Sequence, residues 1–183
     1  MITSEADILI VPGLGGSAED HWQSRWERQL KTAQRVVQED WDHPVLKVWL
    51  QKLSESIAQT TRPLIMIGHS LGALAITHLP EDVAAKIKGA MLVTPPAAST
   101  ILQIAEIDPA FAAPPPHKLL YPALLIASRD DPYSSYAESE ALAASLGAEV
   151  VDAGASGHLN LDSGHGPWPE GLMRFAGFMK TLQ

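Results

Sequence analysis

Gly68-His69-Ser70-Leu71-Gly72 sets a serine between two glycines, with the apolar run Leu64-Ile65-Met66-Ile67 before it and small helix-forming residues after it. A serine hydroxyl is a weak nucleophile unaided. A Gly-x-Ser-x-Gly turn between a strand and a helix projects the hydroxyl out of the sheet, and the glycines admit the tight bend. The helix N-terminus then aims free N–H groups and a positive dipole end at a developing oxyanion. The same serine could instead cap a helix. The two readings make different demands on the rest of the chain. A cap needs nothing further, whereas a nucleophile needs a general base and a carboxylate to orient it.

Candidates for both lie downstream. Asp130 and Asp131 follow the apolar run Ala123–Ala127, and Pro132 directs the chain away from them. An aspartate before proline also initiates turns. His158 and His165 lie in the glycine-rich stretch GASGHLNLDSGHGPWPEG. The order serine, acid, histidine, each after a strand, favours the nucleophile over the cap. Position alone leaves Asp130 and Asp131, and likewise His158 and His165, as alternatives. The loop Pro12-Gly13-Leu14-Gly15-Gly16-Ser17 after the first strand can supply a second oxyanion donor, so the backbone amides of Leu14 and Leu71 are the candidates. Neither Gly-x-Gly-x-x-Gly nor Gly-x-x-x-x-Gly-Lys-Ser/Thr occurs, which argues against a nucleotide site.

The elements that must position these groups alternate. Short apolar runs predict buried strands over 8–11, 63–68, 90–95 and 123–127, with weaker strands over 35–37 and 149–151. Helices are expected over 18–31 with Ser17 as N-cap, from Pro44 with Val45, Val48, Trp49 and Leu53 on one face, and over 71–79, 136–146 and 172–182. Residues 97–121 carry a proline triplet and predict a helix of about eight residues, then an irregular connection that could overhang the site. The alternation predicts a single α/β domain over 1–183, a mostly parallel sheet with helices on both faces. His69 is expected to pack beside the turn. His21 and Trp22 either line a pocket or anchor the first helix.

Composition narrows the function classes. The 183 residues carry 13 Lys and Arg against 21 Asp and Glu, a formal net charge of −8, which disfavours nucleic acid as a partner. No apolar stretch approaches about 18 residues, and Met1–Asp7 has no basic leader pattern, so no membrane partner is expected and a cytoplasmic location is the default. The absence of cysteine removes disulfides, thiolate catalysis and Cys-ligated zinc. The histidines show no metal-ligand spacing, so neither metal nor cofactor is expected.

VPGLGGSAEDHWQSRWE, GHSLGALAITH, SRDDPY and SGHLNLDSGHGPWPEG together resemble the small serine hydrolases related to retinoblastoma-binding protein 9, over nearly the whole chain. The resemblance implies an α/β-hydrolase fold, compact and without a large cap domain. It implies Ser70 as nucleophile, Asp131 as acid and His158 as base, with His165 a loop residue. That family's Leu-x-Cys-x-Glu partner motif is absent here, so its protein partner is not carried over. The expected reaction is hydrolysis of a small acyl substrate, an ester first. The alternative is a protein-interaction module on the same scaffold with weak or secondary catalysis.

Overall fold

The computed structural model describes residues 1–182. Six parallel strands form one sheet in the order β2-β1-β3-β4-β5-β6. They are β1 (Asp7–Val11), β2 (Ala33–Arg35), β3 (Leu64–His69), β4 (Ile87–Val93), β5 (Ala123–Ala127) and β6 (Glu149–Asp152). The helices are α1 (Trp22–Gln29), α2 (Leu46–Ala58), α3 (Leu71–Thr77), α4 (Glu81–Ala84), α5 (Ala98–Ile101), α6 (Tyr136–Leu146) and α7 (Pro169–Thr181).

The central strands read as unbroken apolar runs because both faces are covered. Ile8, Ile10, Ile65, Ile67, Met91 and Val93 point to a core under α1 and α7. Leu9, Val11, Met66, Ala90, Leu92 and Leu125 point to the opposite core, under α2, α3 and α6. The period of two assigns successive residues to opposite layers. The strand order reverses between β1 and β3, and the crevice beyond their carboxyl ends is where such sheets take ligands.

Three helical expectations are corrected. Helix α1 starts at Trp22, not at 18, and Ser17 does not cap it. The Ser17 hydroxyl donates to Gln23 Oε1 at 2.6 Å, while His21 Nδ1 accepts the Gln23 N–H at 3.1 Å and acts as cap. Gln23 is fully buried and its amide reaches the Val11 carbonyl at 3.2 Å, so Ser17 satisfies a core group instead of a helix end. Helix α2 begins at Leu46, where Asp108 Oδ2 accepts the Leu46 N–H at 3.0 Å. The eight-residue helix expected after Pro96 is the four-residue α5, followed by a 3-10 turn over Pro109–Ala112 that Asp108 Oδ1 also caps. β2 lies two residues earlier than expected and α7 begins at Pro169, with proline in its first turn.

Candidate active site

Ser70 follows β3 directly, with φ 54° and ψ −125°. A non-glycine residue there is strained and persists only where its surroundings fix it. The Ser70 N–H donates to the Val93 carbonyl of β4 at 2.9 Å. A Cβ at Gly72 would run into the Val11 and Pro12 carbonyl oxygens, and one at Gly13 would stand 2.8 Å from Ser70 Cβ. Backbone-to-backbone approach at these glycines therefore holds the loop after β1 against the turn after β3. Among the described residues, neither the Leu14 nor the Leu71 N–H is taken by a backbone carbonyl. Both residues line the same cavity as Ser70.

The two aspartates after β5 have different partners. Both carboxylate oxygens of Asp131 face His158 Nδ1, at 3.0 and 3.1 Å, and Asp131 Oδ1 also accepts the Tyr133 N–H at 2.9 Å. The His158 and Asp131 side chains are 7 % and 3 % exposed, so the pair is shielded from water. Asp130 Oδ1 accepts the Gly157 N–H at 2.8 Å and the Ser128 hydroxyl at 2.9 Å. These bonds, the Gly157 amide first, hold the Asp130 carboxyl below its ordinary range. Asp130 thus braces the loop that presents His158. His165 lies apart, its ring nitrogen 3.2 Å from Ser163 Oγ.

The His158 backbone is fixed from several sides. Its carbonyl accepts from His69 Nε2 at 2.8 Å and from the Thr94 hydroxyl at 3.2 Å. The next carbonyl, of Leu159, accepts the Trp22 indole N–H at 2.8 Å. Trp22 packs edge-on to Trp168 at 5.0 Å, and Trp168 stacks on Trp26 at 5.7 Å with 9° between planes. Trp22 is therefore the anchor and His21 the pocket-lining member of that pair. His69 does both, bonding the His158 carbonyl and lining the cavity. Thr94 and Ser128 carried no motif signal beyond their places at the ends of β4 and β5.

Ser70 and His158 line one cavity of about 350 Å³. Among the hydrogen bonds of the described residues none joins Ser70 Oγ to His158 Nε2, although both residues face the same cavity. His21 and His69 crowd the same end, with ring centroids 5.0 Å apart and His69 4.9 Å from His158. Burial, then the nearby Arg35 guanidinium and His158, holds His21 down to about 4. Burial also holds His69 well below the ordinary imidazole range, helped by His158 and His21. Both are neutral at neutral pH. Among the described residues no cluster of His, Asp or Glu is arranged to hold a metal ion.

The family model described as serine hydrolase matches residues 8–177. Among solved structures, a YdeN-like hydrolase from Pectobacterium atrosepticum is 35 % identical, with a TM-score of 0.85 over 98 % of this chain and 93 % of that one. The ydeN gene product of B. subtilis, 20 % identical, gives 0.79 over 96 % and 99 %. Est1E from Butyrivibrio proteoclasticus, solved with ferulic acid bound, is 15 % identical and gives 0.65 over 92 % and 88 %. These last two share the fold. No curated protein matches. The architecture is the α/β-hydrolase fold without a large cap domain.

Proposed function

The chain belongs to the serine hydrolase family, and on that footing we propose that it is a carboxylesterase-like enzyme working through Ser70, His158 and Asp131. The observation that carries this reading is the buried His158–Asp131 pair beside a serine held in a strained turn. With Asp131 accepting from Nδ1–H, the imidazole keeps Nε2 as the proton acceptor. His158 takes the Ser70 proton as Oγ attacks the ester carbonyl. The Leu14 and Leu71 N–H groups receive the oxyanion. Collapse of the tetrahedral intermediate breaks the ester C–O bond, and the alcohol leaves with the proton from His158. Water, deprotonated by the same histidine, then cleaves the acyl-enzyme and restores Ser70.

The substrate in this reading is a small acyl compound, with no nucleic acid or membrane partner. The motifs favour a place beside the hydrolases related to retinoblastoma-binding protein 9. A module kept only for protein interaction would have no use for a buried His158–Asp131 pair at the cavity that Ser70 lines.

Mixing the enzyme with 4-nitrophenyl acetate tests the reaction. The proposal expects a burst of nitrophenol equal to the enzyme concentration or steady turnover, both lost in Ser70→Ala and His158→Ala. Turnover that survives Ser70→Ala would refute it.

A further inference from the structure

The charge pattern of the cavity points to a substrate class. One wall is apolar and comes largely from the segment after β4, with Ile101, Ile104 and Ile107 beside Leu14 and Leu161. Ile101 and Ile107 are almost fully buried, so this wall is packed into the fold. Among the described residues that line the cavity there is no lysine or arginine. Two guanidinium groups of this region are already engaged: Arg35 with Glu27 at 3.0 Å and with the Ser17 carbonyl at 2.9 Å, and Arg25 with Asp20 at 2.9 Å.

The remaining candidates for positive charge are His21 and His69, and neither supplies it. His21 Nδ1 accepts the Gln23 N–H, which requires that nitrogen to be unprotonated. His69 is buried and uses Nε2 on the His158 carbonyl. The lining residue that does carry charge outside the His158–Asp131 pair is Asp162, an exposed carboxylate at the rim with no ion-pair partner among the described residues. The whole molecule adds to that field with a formal charge of −8.

We propose that this pocket selects acyl esters by charge: it takes an uncharged, apolar acyl group and turns away substrates that carry a carboxylate or phosphate, with Asp162 as a specificity-determining residue. An anion entering here would lose hydration and find no lysine or arginine among the described lining residues to replace it. It would also approach Asp162 against the long-range field. An aliphatic chain meets the isoleucine wall instead, where its transfer from water is favourable. The inference rests on the serine-hydrolase reading of the same site and names what that site accepts.

The test compares 4-nitrophenyl hexanoate with the 4-nitrophenyl monoester of adipic acid, which ends in a carboxylate. The expected kcat/KM for the anionic ester is lower by about tenfold or more at low salt. Asp162→Lys should shrink that ratio, and raising ionic strength should shrink it in the wild type. Equal or faster turnover of the adipate ester by the wild type overturns the charge proposal while leaving ester hydrolysis standing. An unchanged ratio in Asp162→Lys removes Asp162 from its role. If neither ester reacts and a fluorophosphonate fails to label Ser70, the underlying hydrolase reading fails and the proposal falls with it.

Discussion

Asp131 and Asp130 are adjacent in the chain and face different tasks: Asp131 receives His158 Nδ1 at 3.0 and 3.1 Å, while Asp130 receives the Gly157 N–H at 2.8 Å. One orients the imidazole and the other holds the loop that carries it. The pair gives a separable prediction. Asp131→Asn should lower kcat by about 10³–10⁴-fold, because an amide can hold the ring in the wrong tautomer, with little change in KM. Asp130→Asn should lower activity far less and reduce thermal stability, since it weakens a brace and leaves the His158–Asp131 contact in place. Steady-state kinetics and thermal denaturation on both variants check this.

The close approach of the loop after β1 to the turn after β3 depends on residues without side chains. Gly72→Ala pushes a methyl group into the Val11 and Pro12 carbonyls and should cost at least about 2 kcal/mol. Gly177→Ala, on α7 where a Cβ meets nothing within 4 Å, should stabilise by about 0.5–1 kcal/mol. Urea unfolding of the two variants should therefore shift in opposite directions.

Acid sensitivity follows from the buried imidazoles. His21 has a pKa of about 4 in the folded chain and the ordinary value of 6.5 when unfolded. The folded state disfavours the protonated form. Its contribution is fully present above the unfolded value and is lost as pH falls from 6.5 towards 4, where the unfolded chain binds a proton the folded chain does not. The shift corresponds to about 3 kcal/mol. His69, also shifted down, adds in the same direction. His21→Asn keeps an oxygen for the Gln23 N–H and removes the titration. Denaturation measured between pH 4 and 7 should show a shallower loss of stability in that variant than in the wild type.

Asp108 caps two elements at once, through Oδ2 to Leu46 N–H and Oδ1 to Ala110 N–H, each at 3.0 Å. Asp108→Ala should destabilise by about 1–2 kcal/mol. It should also raise KM for an aliphatic ester more than it lowers kcat, because it loosens the segment bearing Ile104 and Ile107 and leaves Ser70 and His158 in place. Urea denaturation and ester kinetics on one preparation measure both effects.

How much of this was legible beforehand depended on the range of the forces involved. Strands β1, β3, β4 and β5 were readable because a strand covered on both faces must be apolar throughout. Ser70 and the Asp130–Asp131 pair stood out because each follows such a run, and His158 because it lies in the glycine-rich loop after the weaker edge strand β6. Position alone left the division of labour between the aspartates open, and only the family resemblance pointed to Asp131, since the division turns on which carboxylate meets Gly157 and which meets His158 across separate elements. The start of α2 was hidden for the same reason, because its cap is Asp108, far along the chain. The α1 boundary failed locally: Ser17 resembled a cap, but the buried amide of Gln23 claimed its hydroxyl. The path of residues 97–121 follows from how Ile101, Ile107 and Phe111 enter the core, not from their spacing.

The central claim is that Ser70 is an activated nucleophile beside a His158–Asp131 pair. Incubating wild type and Ser70→Ala with a fluorophosphonate, then mapping the modified peptide by mass spectrometry, tests it most directly. The account predicts stoichiometric phosphonylation on Ser70 in the wild type, none in Ser70→Ala, and greatly slowed labelling in His158→Ala. A folded wild-type protein that remains unlabelled, or that is labelled at a residue other than Ser70, would contradict it.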